Sequence, residues 1–255
     1  MAQNQNKTYI SVIIPAYNEG GVKGEDLKRN LTEMACYFGK KNISYEIIVV
    51  NDGSEDNTLD IVNSLSNMLD KLEIIDRNEN RGKWYSVREG FIKSSGHYKV
   101  FTDADGATSI NNLEGFLPLM EQGCDIMIGS RRLTGSEIKK HQPKWKESLG
   151  DLGNFFIQSL MGLKGIKDTQ CGFKVFSEEV VKRIIPQMTV DRWGGDFELL
   201  MLAKKMGYKI KEVPVVWVDA GKSLVGLKGY LTTFYELFQV KRRMITGSYN
   251  NPTTP

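Results

Sequence analysis

The sequence predicts an α/β fold, a mostly parallel sheet flanked by helices, and three observations support that prediction. Short runs of β-branched and apolar residues recur along the first half of the chain, apolar residues at helical spacing lie between them, and polar clusters follow the runs. This alternation is typical of parallel strands joined by right-handed crossover helices. With 255 residues, 40% of them hydrophobic, the chain is long enough for one such domain and a short appendage.

Five strands and two helices are predicted in the first half of the chain. The strands are expected at residues 9–14, 45–50, 72–75, 98–101 and 125–128. The helices are indicated by Leu27, Leu31, Met34, Ala35 and Phe38, and by Leu59, Val62, Leu65 and Leu69.

After residue 131 this alternation stops. Residues 133–146 lack apolar periodicity and are predicted to form a polar, basic loop. Helical spacing returns near residues 149–161 and 197–206, before an apolar strand at residues 213–218.

The composition excludes several classes of protein. Three well-separated cysteines without a Cys-x-x-Cys pair argue against a disulfide framework or a thiolate zinc site, which favours a reducing, cytoplasmic location. Two histidines leave little for histidine metal sites. A net charge of +3 is too small to indicate a nucleic-acid partner. No apolar run reaches the length of about eighteen residues that a membrane-spanning helix requires.

Polar residues follow three of the predicted strands where each strand ends. These are residues 15–19, 51–53 and 103–106. Because ligands bind outside the carboxyl ends of parallel strands, we expect them to line one crevice. Asp103 and Asp105 repel each other unless a cation or solvent intervenes, and their hard oxygens suit Mg²⁺ or Mn²⁺ held jointly with substrate phosphates. An isolated Asp-x-Asp triplet is more often a solvated loop. The surrounding sequence must therefore decide between a loop and a metal site.

That context resembles family 2 glycosyltransferases, which have the GT-A (Rossmann-like) fold. The resemblance rests on Ser11–Glu19, Val50–Ser54 with Asp56 and Thr58, Asn80–Lys83, Asp103–Asp105 and Gly129–Arg131, in the family's order. Within the family, Asp103–Thr108, Asp168–Lys174 and Trp193–Leu199 are most similar to the dolichyl-phosphate β-glucosyltransferase branch, which is related to the dolichyl-phosphate mannose synthases and bacterial polyprenyl-phosphate glycosyltransferases.

The resemblance implies a metal-dependent, inverting hexosyltransferase that moves a hexose, expected to be glucose from UDP-glucose, to dolichyl or another polyprenyl phosphate. It implies that the nucleotide sugar is bound by Pro15, Ala16, Tyr17, Glu19, Asp52, Lys83, Asp103, Ala104 and Asp105. Asp103 and Asp105 are the expected ligands of Mg²⁺ or Mn²⁺, Asp52 the expected partner of the base, and Lys83 the expected contact of the diphosphate at a helix N-terminus.

The chain departs from the family pattern at one position. Gly-Lys-Gly is usual, and here Trp84 follows Gly82 and Lys83. A bulky ring where the backbone should approach phosphate keeps a second interpretation open, a non-catalytic protein that binds nucleotide sugars.

The acceptor side is expected to contain the remaining site residues. Arg131, Arg132 and Lys174 are the candidates to bind the acceptor phosphate, which is already anionic and needs no strong base. The candidate catalytic residues are Asp103, Asp105, Arg131, Gln170 and Asp196. Gln170 is expected to bond sugar hydroxyls or metal-bound water. Asp196 is the candidate base for a third interpretation, a soluble family 2 enzyme that acts on a saccharide or protein hydroxyl.

The C-terminal residues 223–255 are expected to add an amphipathic helix and a polar tail to a catalytic domain of residues 1–222. Leu227, Leu231, Phe234, Phe238 and Ile245 repeat at helical spacing, with Lys241, Arg242 and Arg243 close by. Such a helix either lies at a bilayer surface or packs on the catalytic core. Lysines around Trp145 form a second basic patch, so we expect peripheral contact with the cytoplasmic face of a membrane.

Overall fold

The computed structural model describes residues 7–219, 221 and 227–250, with only the backbone of residues 227, 228 and 250. Its main sheet has seven strands, in the order β3-β2-β1-β4-β7-β5-β8. These strands are β1 (Ile10–Ala16), β2 (Tyr45–Asp52), β3 (Leu72–Arg77), β4 (Tyr98–Thr102), β5 (Ile126–Ser130), β7 (Phe173–Ser177) and β8 (Ile210–Pro214). The five strands predicted in the first half of the chain are therefore confirmed, each within a few residues of its expected bounds.

Helices cover both faces of this sheet. They are α1 (Gly24–Lys41), α2 (Thr58–Ser66), α3 (Lys83–Lys93), α4 (Leu117–Glu121), α5 (Lys144–Leu160), α6 (Glu178–Ile184), α7 (Gly195–Lys205) and α8 (Leu227–Thr246). Short 3₁₀ helices lie at Gly21–Lys23, Ile110–Gly115, Ile185–Gln187 and Ser248–Asn250.

The hydrophobic core has two parts, one on each face of the sheet. Side chains alternate along β1, so that Val12 and Ile14 join the part that contains α1 and α2, whereas Ile13 joins the part that contains α3 and α7. The two helices predicted from apolar spacing are confirmed, because their apolar residues face the first part; Leu31 and Phe38 of α1 are fully buried there.

Strand β7 was not predicted. It lies between β4 and β5 and runs antiparallel to both, while the other neighbours in this sheet pair in parallel. All five of its residues are buried, including Lys174, which is paired in register with Phe101. A lysine at the second position of the run hides the apolar pattern by which a buried strand is recognised.

The predictions for residues 133–146 and 213–218 were partly wrong. Residues Glu137–Lys140 form strand β6, which pairs in parallel with β9 (Val216–Val218) as a separate two-stranded sheet. The expected strand at 213–218 is thus divided at Val215 between two sheets. Strand β6 is short and largely exposed, so no alternation of apolar residues marks it.

The predicted helices near 149–161 and 197–206 are confirmed as α5 and α7, although α5 begins earlier, at Lys144. The predicted C-terminal helix is α8, which packs on the core through Leu237 and Val240. The expected boundary between residues 222 and 223 and the side chain of Leu227 lie outside the described residues. Within the part of the chain that is described, no helix has the length and apolar character needed to span a bilayer.

Candidate active site

A cleft of about 1190 Å³ opens at the carboxyl ends of β1, β2 and β4. The predicted site residues that line it are Pro15, Ala16, Tyr17, Glu19, Asp52, Lys83, Asp103, Ala104, Asp105, Arg131, Arg132, Gln170 and Asp196. Lys174, which is fully buried, is the one predicted site residue that does not. The fold therefore brings segments more than 150 residues apart in sequence, from Pro15 to Asp196, to one cleft.

The loop after β1 is fixed by side chains of the turn after β2. The backbone N–H groups of residues 18–20 donate to Ser54 Oγ at 3.0 Å, to Thr58 Oγ1 at 2.8 Å and to Asp56 Oδ2 at 2.8 Å. Each acceptor side chain is short, so its oxygen is held near its own backbone. The polar turn thus positions the loop that contains Tyr17 and Glu19.

Asp52 holds the turn that precedes Lys83. Its carboxylate accepts hydrogen bonds from the backbone N–H groups of Arg81 and Gly82, both at 2.8 Å, and from Asn80 Nδ2 at 3.1 Å, and it pairs with Arg77. Asp52 is only 2% exposed. The role predicted for it, accepting a hydrogen bond from the base, stays a prediction, and its hydrogen bonds here are to the protein.

The negative charge of Glu19, Asp103 and Asp105 in the cleft is incompletely neutralised. Lys83 Nζ lies 2.6 Å from Asp103 Oδ1, and Lys23 Nζ lies 3.6 Å from Glu19 Oε2. Burial and the charge of Asp103 nevertheless raise the pKa of Asp105 to about 6. Burial, with a contribution from Asp105, raises the pKa of Glu19 to about 7. Raised pKa values mean that this site favours a further positive charge.

Asp103 and Asp105 fit a divalent cation of the Mg²⁺ or Mn²⁺ type. Among the described residues, no group of three or more His, Cys, Asp and Glu side chains is arranged to hold a metal. A complete protein ligand set is not required, because Mg²⁺ is commonly bound by one or two carboxylates together with water and substrate phosphates. Two hard carboxylates at the edge of an open cleft match that mode.

Trp84 lies beneath the cleft and is completely buried. Its indole Nε1 donates to Asp196 Oδ2 at 2.9 Å. The ring packs against Gly195 so closely that a Cβ atom there would lie 2.1 Å from the ring's Cγ. The family's second glycine is thus replaced by a ring that points into the core, and the ring does not fill the donor pocket.

The N-terminus of α3 is less open to phosphate than the sequence suggested. The backbone N–H groups of Trp84 and Tyr85 donate to the carbonyls of Arg192 at 3.3 Å and Asp191 at 2.9 Å. These two donors of the first helical turn are therefore satisfied within the protein. The ammonium group of Lys83, which lines the cleft, remains the group suited to the diphosphate.

Arg131 is held in the cleft by a bidentate ion pair. Its Nε and NH2 donate to the two carboxylate oxygens of Asp168 at 2.7 and 2.9 Å, and its backbone N–H donates to the same carboxylate at 3.0 Å. Burial opposes ionisation of Asp168, but the charge and hydrogen bonds of Arg131 outweigh it and lower the pKa of Asp168 to about 2. Asp168 in turn raises the pKa of Arg131.

Arg132 and Gln170 lie beside this pair. The guanidinium of Arg132 pairs with Asp151 of α5 at 2.5 Å, and their side chains are 35% and 62% exposed. Gln170 is half-buried at the wall of the cleft, and its backbone N–H donates to Asp168 at 3.3 Å. Both residues are within the cleft, as predicted, and their roles stay predictions.

The structure does not support the prediction that Lys174 binds the acceptor phosphate. Its ammonium donates to the Cys171 carbonyl at 2.6 Å and pairs with Asp196, and the side chain is 0% exposed. Asp196 is 4% exposed and engaged on both oxygens, by Lys174 and by Trp84. This pairing favours a structural role for Asp196 over that of a general base.

Two aromatic residues of the cleft were not assigned a role from the sequence. The ring of Trp193 lies 5.8 Å from Lys83 Nζ, and the ring of Trp217 lies 5.6 Å from the guanidinium carbon of Arg131. Such rings hold cations in place. Trp193 belongs to the Trp193–Leu199 motif, so the sequence could have indicated it as a site residue. Trp217 lies in a three-residue strand that belongs to no motif.

Comparisons with known proteins agree with this geometry. Residues 11–185 match the family Glycosyl transferase family 2. A dolichyl-phosphate β-glucosyltransferase of Dictyostelium discoideum is 33% identical over 260 residues, which cover 97% of this chain and 79% of that protein. The human dolichyl-phosphate β-glucosyltransferase is 32% identical over 258 residues, covering 94% of this chain and 77% of that protein.

Two solved structures share the fold. Glucosyl-3-phosphoglycerate synthase from Mycobacterium tuberculosis, in complex with Mn²⁺, UDP and phosphoglyceric acid, superposes with a TM-score of 0.65 at 15% identity, over 93% of this chain and 79% of that one. A mannosyltransferase from Pyrobaculum calidifontis, in complex with GDP-Man and Mn²⁺, gives a TM-score of 0.59 at 19% identity, over 98% of this chain and 66% of that one. Sheet order, cleft and sequence match together show that the chain belongs to glycosyltransferase family 2 and has the GT-A fold.

Proposed function

We propose that this protein transfers glucose, with inversion, from UDP-glucose to dolichyl phosphate or another polyprenyl phosphate, with Mn²⁺ or Mg²⁺ as cofactor. One observation supports this most strongly: a single cleft joins an incompletely neutralised pair of aspartates, Asp103 and Asp105, to the oriented cation Arg131. The relatives named dolichyl-phosphate β-glucosyltransferase, at 32–33% identity over nearly the whole chain, support the choice of sugar and acceptor.

On the donor side, Asp103 and Asp105 would hold the metal. When bound, the metal supplies positive charge to the leaving nucleotide diphosphate. Lys83 adds a second positive charge, and its position beside Asp103 supports a contact with the same phosphates. Glu19 lies on the loop fixed by Ser54, Asp56 and Thr58, where its carboxylate is suited to accept hydrogen bonds from ribose hydroxyls.

On the acceptor side, Arg131 binds and orients the phosphate that attacks the sugar. Asp168 fixes the guanidinium plane, and 28% of the Arg131 side chain remains exposed. The donors that Asp168 does not use are then available to phosphate oxygens. A phosphate acceptor is already anionic near neutral pH and needs no strong base, which agrees with the engaged state of Asp196.

The C-terminal part, residues 223–255, is proposed to attach the catalytic domain, residues 1–222, to the cytoplasmic face of a membrane. Helices α5 and α8 contact each other, and the rings of Phe156 and Phe234 lie 6.1 Å apart. These two helices leave large apolar side chains more than half exposed: Trp145, Leu152, Phe155, Leu231, Tyr235, Phe238 and Ile245, here called the apolar strip.

The apolar strip supports contact with lipid because cations accompany it. Lys146 Nζ lies 5.7 Å from the ring centroid of Trp145, and Arg242 is exposed on α8. Amphipathic helices with apolar residues and cations of this kind bind at the headgroup region of anionic bilayers. Leu149 and Ile157 of α5 and Phe234 and Leu237 of α8 also line the cleft. A lipid acceptor would therefore reach Arg131 from the side that faces the membrane.

The decisive experiment is an assay of the purified protein with radiolabelled UDP-glucose, MnCl₂ and a short-chain polyprenyl phosphate. We expect a β-linked glucosyl phospholipid, and no product when EDTA replaces the metal. GDP-mannose and UDP-N-acetylglucosamine test the sugar. The matching unphosphorylated prenol and a free oligosaccharide test the acceptor.

The other outcomes assign the alternatives. Transfer to the prenol or the oligosaccharide, and not to the phosphate, would establish a hydroxyl acceptor. UDP-glucose binding without product from any acceptor would establish a non-catalytic binding protein. The feature that raised that last interpretation, Trp84, lies in the core and not in the cleft.

A further inference from the structure

We propose that Glu236 of α8 is a positioning residue for Lys83, so that the helix bearing part of the apolar strip is mechanically joined to the donor side of the cleft. This inference rests on the proposed function, since it assigns Lys83 to the donor diphosphate. Glu236 does not touch the reacting groups; it acts through the segment of residues 191–196.

The first link joins α8 to that segment. Glu236 Oε2 accepts the backbone N–H of Gly194 at 2.7 Å and that of Trp193 at 3.1 Å. Glu236 is 7% exposed, so the two N–H groups depend on it for their hydrogen bonds. The approach is close, because a Cβ atom at Gly194 would lie 3.0 Å from Glu236 Cβ and 2.5 Å from the ring of Phe197. Only glycine allows the helix and this turn to pack at that distance.

The second link joins the segment to the start of α3. The carbonyls of Asp191 and Arg192 accept the backbone N–H groups of Tyr85 and Trp84. Asp196, at the other end of the segment, accepts the indole N–H of Trp84. The first turn of α3 is therefore attached to residues 191–196 by both backbone and side chain.

The third link is Lys83 itself. It is the first residue of α3, immediately before Trp84, and its ammonium lies over the ring of Trp193 as well as beside Asp103. Trp193 is one of the two residues whose N–H groups Glu236 binds. A displacement of α8 would thus act on Lys83 through its helix and through the ring beside it.

A second carboxylate also joins the C-terminal residues to this part of the chain. Glu198 of α7 binds the N–H groups of Thr189 and Val190, just before the same segment, and accepts the hydroxyl of Tyr249, which follows α8, at 2.6 Å. The carboxylate of Glu198 thus binds residues before the segment, whereas that of Glu236 binds Trp193 and Gly194 within it. Glu236 lies more than forty residues away along the chain. A displacement of α8, including one caused by membrane binding, would therefore be transmitted through Glu236 to residues 191–196 and from them to the active site.

The test compares three variants of the full chain: E236A, E236Q and V240A. Glu236→Ala removes the acceptor of the buried Gly194 N–H and the half-buried Trp193 N–H, whereas Glu236→Gln keeps an amide oxygen that accepts them. Val240→Ala is the matched control, because Val240 is fully buried one turn further along α8 and makes no such hydrogen bond. Thermal unfolding of all three variants shows how much each loosens the fold.

Two measurements are decisive. In amide hydrogen exchange, E236A is expected to speed exchange about tenfold in peptides covering residues 83–87 and 192–195, while E236Q and V240A leave them within about twofold. In binding and kinetics, E236A is expected to weaken UDP-glucose binding with Mn²⁺ about tenfold at an unchanged KM for the prenyl phosphate, and E236Q to restore it.

The inference is overturned if E236A leaves exchange in residues 83–87 unchanged, or if V240A weakens donor binding as much as E236A at an equal loss of Tm. Failure of the proposed function is a separate result. If the wild-type protein neither binds UDP-glucose nor forms product, that function is wrong, while the exchange comparison still decides whether Glu236 holds the start of α3.

Discussion

The cleft has two charged regions, which hold their carboxylates in opposite electrostatic states. We call the region of Glu19, Asp103 and Asp105 the donor end and that of Arg131 and Asp168 the acceptor end, after their proposed roles. At the donor end the pKa values of Glu19 and Asp105 are raised, to about 7 and about 6. At the acceptor end the pKa of Asp168 is lowered to about 2, because Arg131 pairs with it on both oxygens. The donor end therefore has more negative than positive charge, whereas at the acceptor end the charges of Arg131 and Asp168 balance each other.

This difference indicates which end recruits an ion and which presents a fixed group. Buried carboxylates that are not fully neutralised are stabilised most by a divalent metal, because it neutralises two negative charges at once. A matched, bidentate pair gains little from another ion, but it fixes a guanidinium in one orientation. One end is thus suited to a metal with a diphosphate, and the other to a phosphate that must arrive with defined geometry.

The comparison is tested most severely by Asp105→Asn, which removes one of the unmatched charges. We expect transfer to fall about a thousandfold or more, because stabilisation of the leaving diphosphate is lost. The Tm should be unchanged or slightly higher, since Asp105 is a destabilised carboxylate whose raised pKa reflects unfavourable burial of its charge. Metal-dependent UDP binding, measured by calorimetry, should be lost as well.

Asp60→Asn, at an exposed position of α2, is the control and should behave as wild type. Normal turnover by Asp105→Asn would show that the excess of negative charge at the donor end has no catalytic role.

The next largest effect is expected for Arg131→Ala at the acceptor end. Loss of a charge-assisted phosphate contact should lower kcat/KM for the prenyl phosphate about 300-fold, while the affinity for UDP-glucose stays unchanged. Because this variant also leaves Asp168 buried and unpaired, Tm must be measured alongside. Arg131→Lys keeps the charge but loses the paired donors of the guanidinium. Its kcat/KM should therefore lie between those of wild type and Arg131→Ala. An equal loss of donor and acceptor affinity would place Arg131 on the donor side.

The donor end was more predictable from the sequence than the acceptor end, and the reason is physical. Residues 15–19, 51–53 and 103–106 each follow a mainly apolar strand, and these strands, β1, β2 and β4, are neighbours that pair in parallel. Because the carboxyl ends of parallel strands meet at one edge of a sheet, such local patterns predict which polar residues lie there, and no tertiary contact needs to be known. The same reasoning located Asp52 correctly but did not show that residues 77–82 use its carboxylate.

The acceptor end depends on contacts between distant segments. Strand β7 is stable only between β4 and β5, which lie about 75 and 47 residues earlier in the chain. Lys174 was expected to bind phosphate from its place in the Asp168–Lys174 motif, and its burial follows from the ion pair with Asp196, which is 22 residues away. Trp84 was expected near phosphate because it replaces the second glycine of the family's Gly-Lys-Gly pattern. The space for its ring in the core depends on Gly195, a distant residue in the sequence.

The apolar strip extends the comparison to the membrane, because α5, which bears part of it, also contains Asp151, the partner of Arg132 at the acceptor end. The double variant Phe155→Ser with Phe238→Ser removes two rings that are 62% and 63% exposed. We expect binding to vesicles of phosphatidylcholine and phosphatidylserine to weaken about a hundredfold, because each buried ring contributes about 1.5–3 kcal/mol. Transfer to a short, water-soluble prenyl phosphate should be retained.

Exposed apolar residues elsewhere provide the control for that experiment. Met68 and Ile92 are 68% and 74% exposed and lie outside α5 and α8. Met68→Ser with Ile92→Ser should leave vesicle binding unchanged. If both double variants lose binding equally, the membrane contact is not specific to the apolar strip.

The smallest effect expected is on stability, from Asp168→Asn, and it has a defined dependence on pH. The pKa of Asp168 is about 2 in the folded protein, and that of an aspartate in an unfolded chain is about 3.9. The ionised carboxylate therefore stabilises the fold above pH 4, and that stabilisation is lost as the pH falls from 4 towards 2. The variant should be less stable than wild type by about 1–2 kcal/mol at pH 7, and this difference should shrink below pH 4.

Urea unfolding at pH 7, 5, 4 and 3 measures that difference directly. Asp151→Asn is the matched control, because Asp151 pairs with Arg132 at the same end of the cleft but is 62% exposed. An exposed pair contributes little, so this variant should stay within about 0.5 kcal/mol of wild type at every pH. If the Asp168→Asn difference were as small, or did not change between pH 5 and pH 3, the charges at the acceptor end would not be matched in the way that distinguishes it from the donor end.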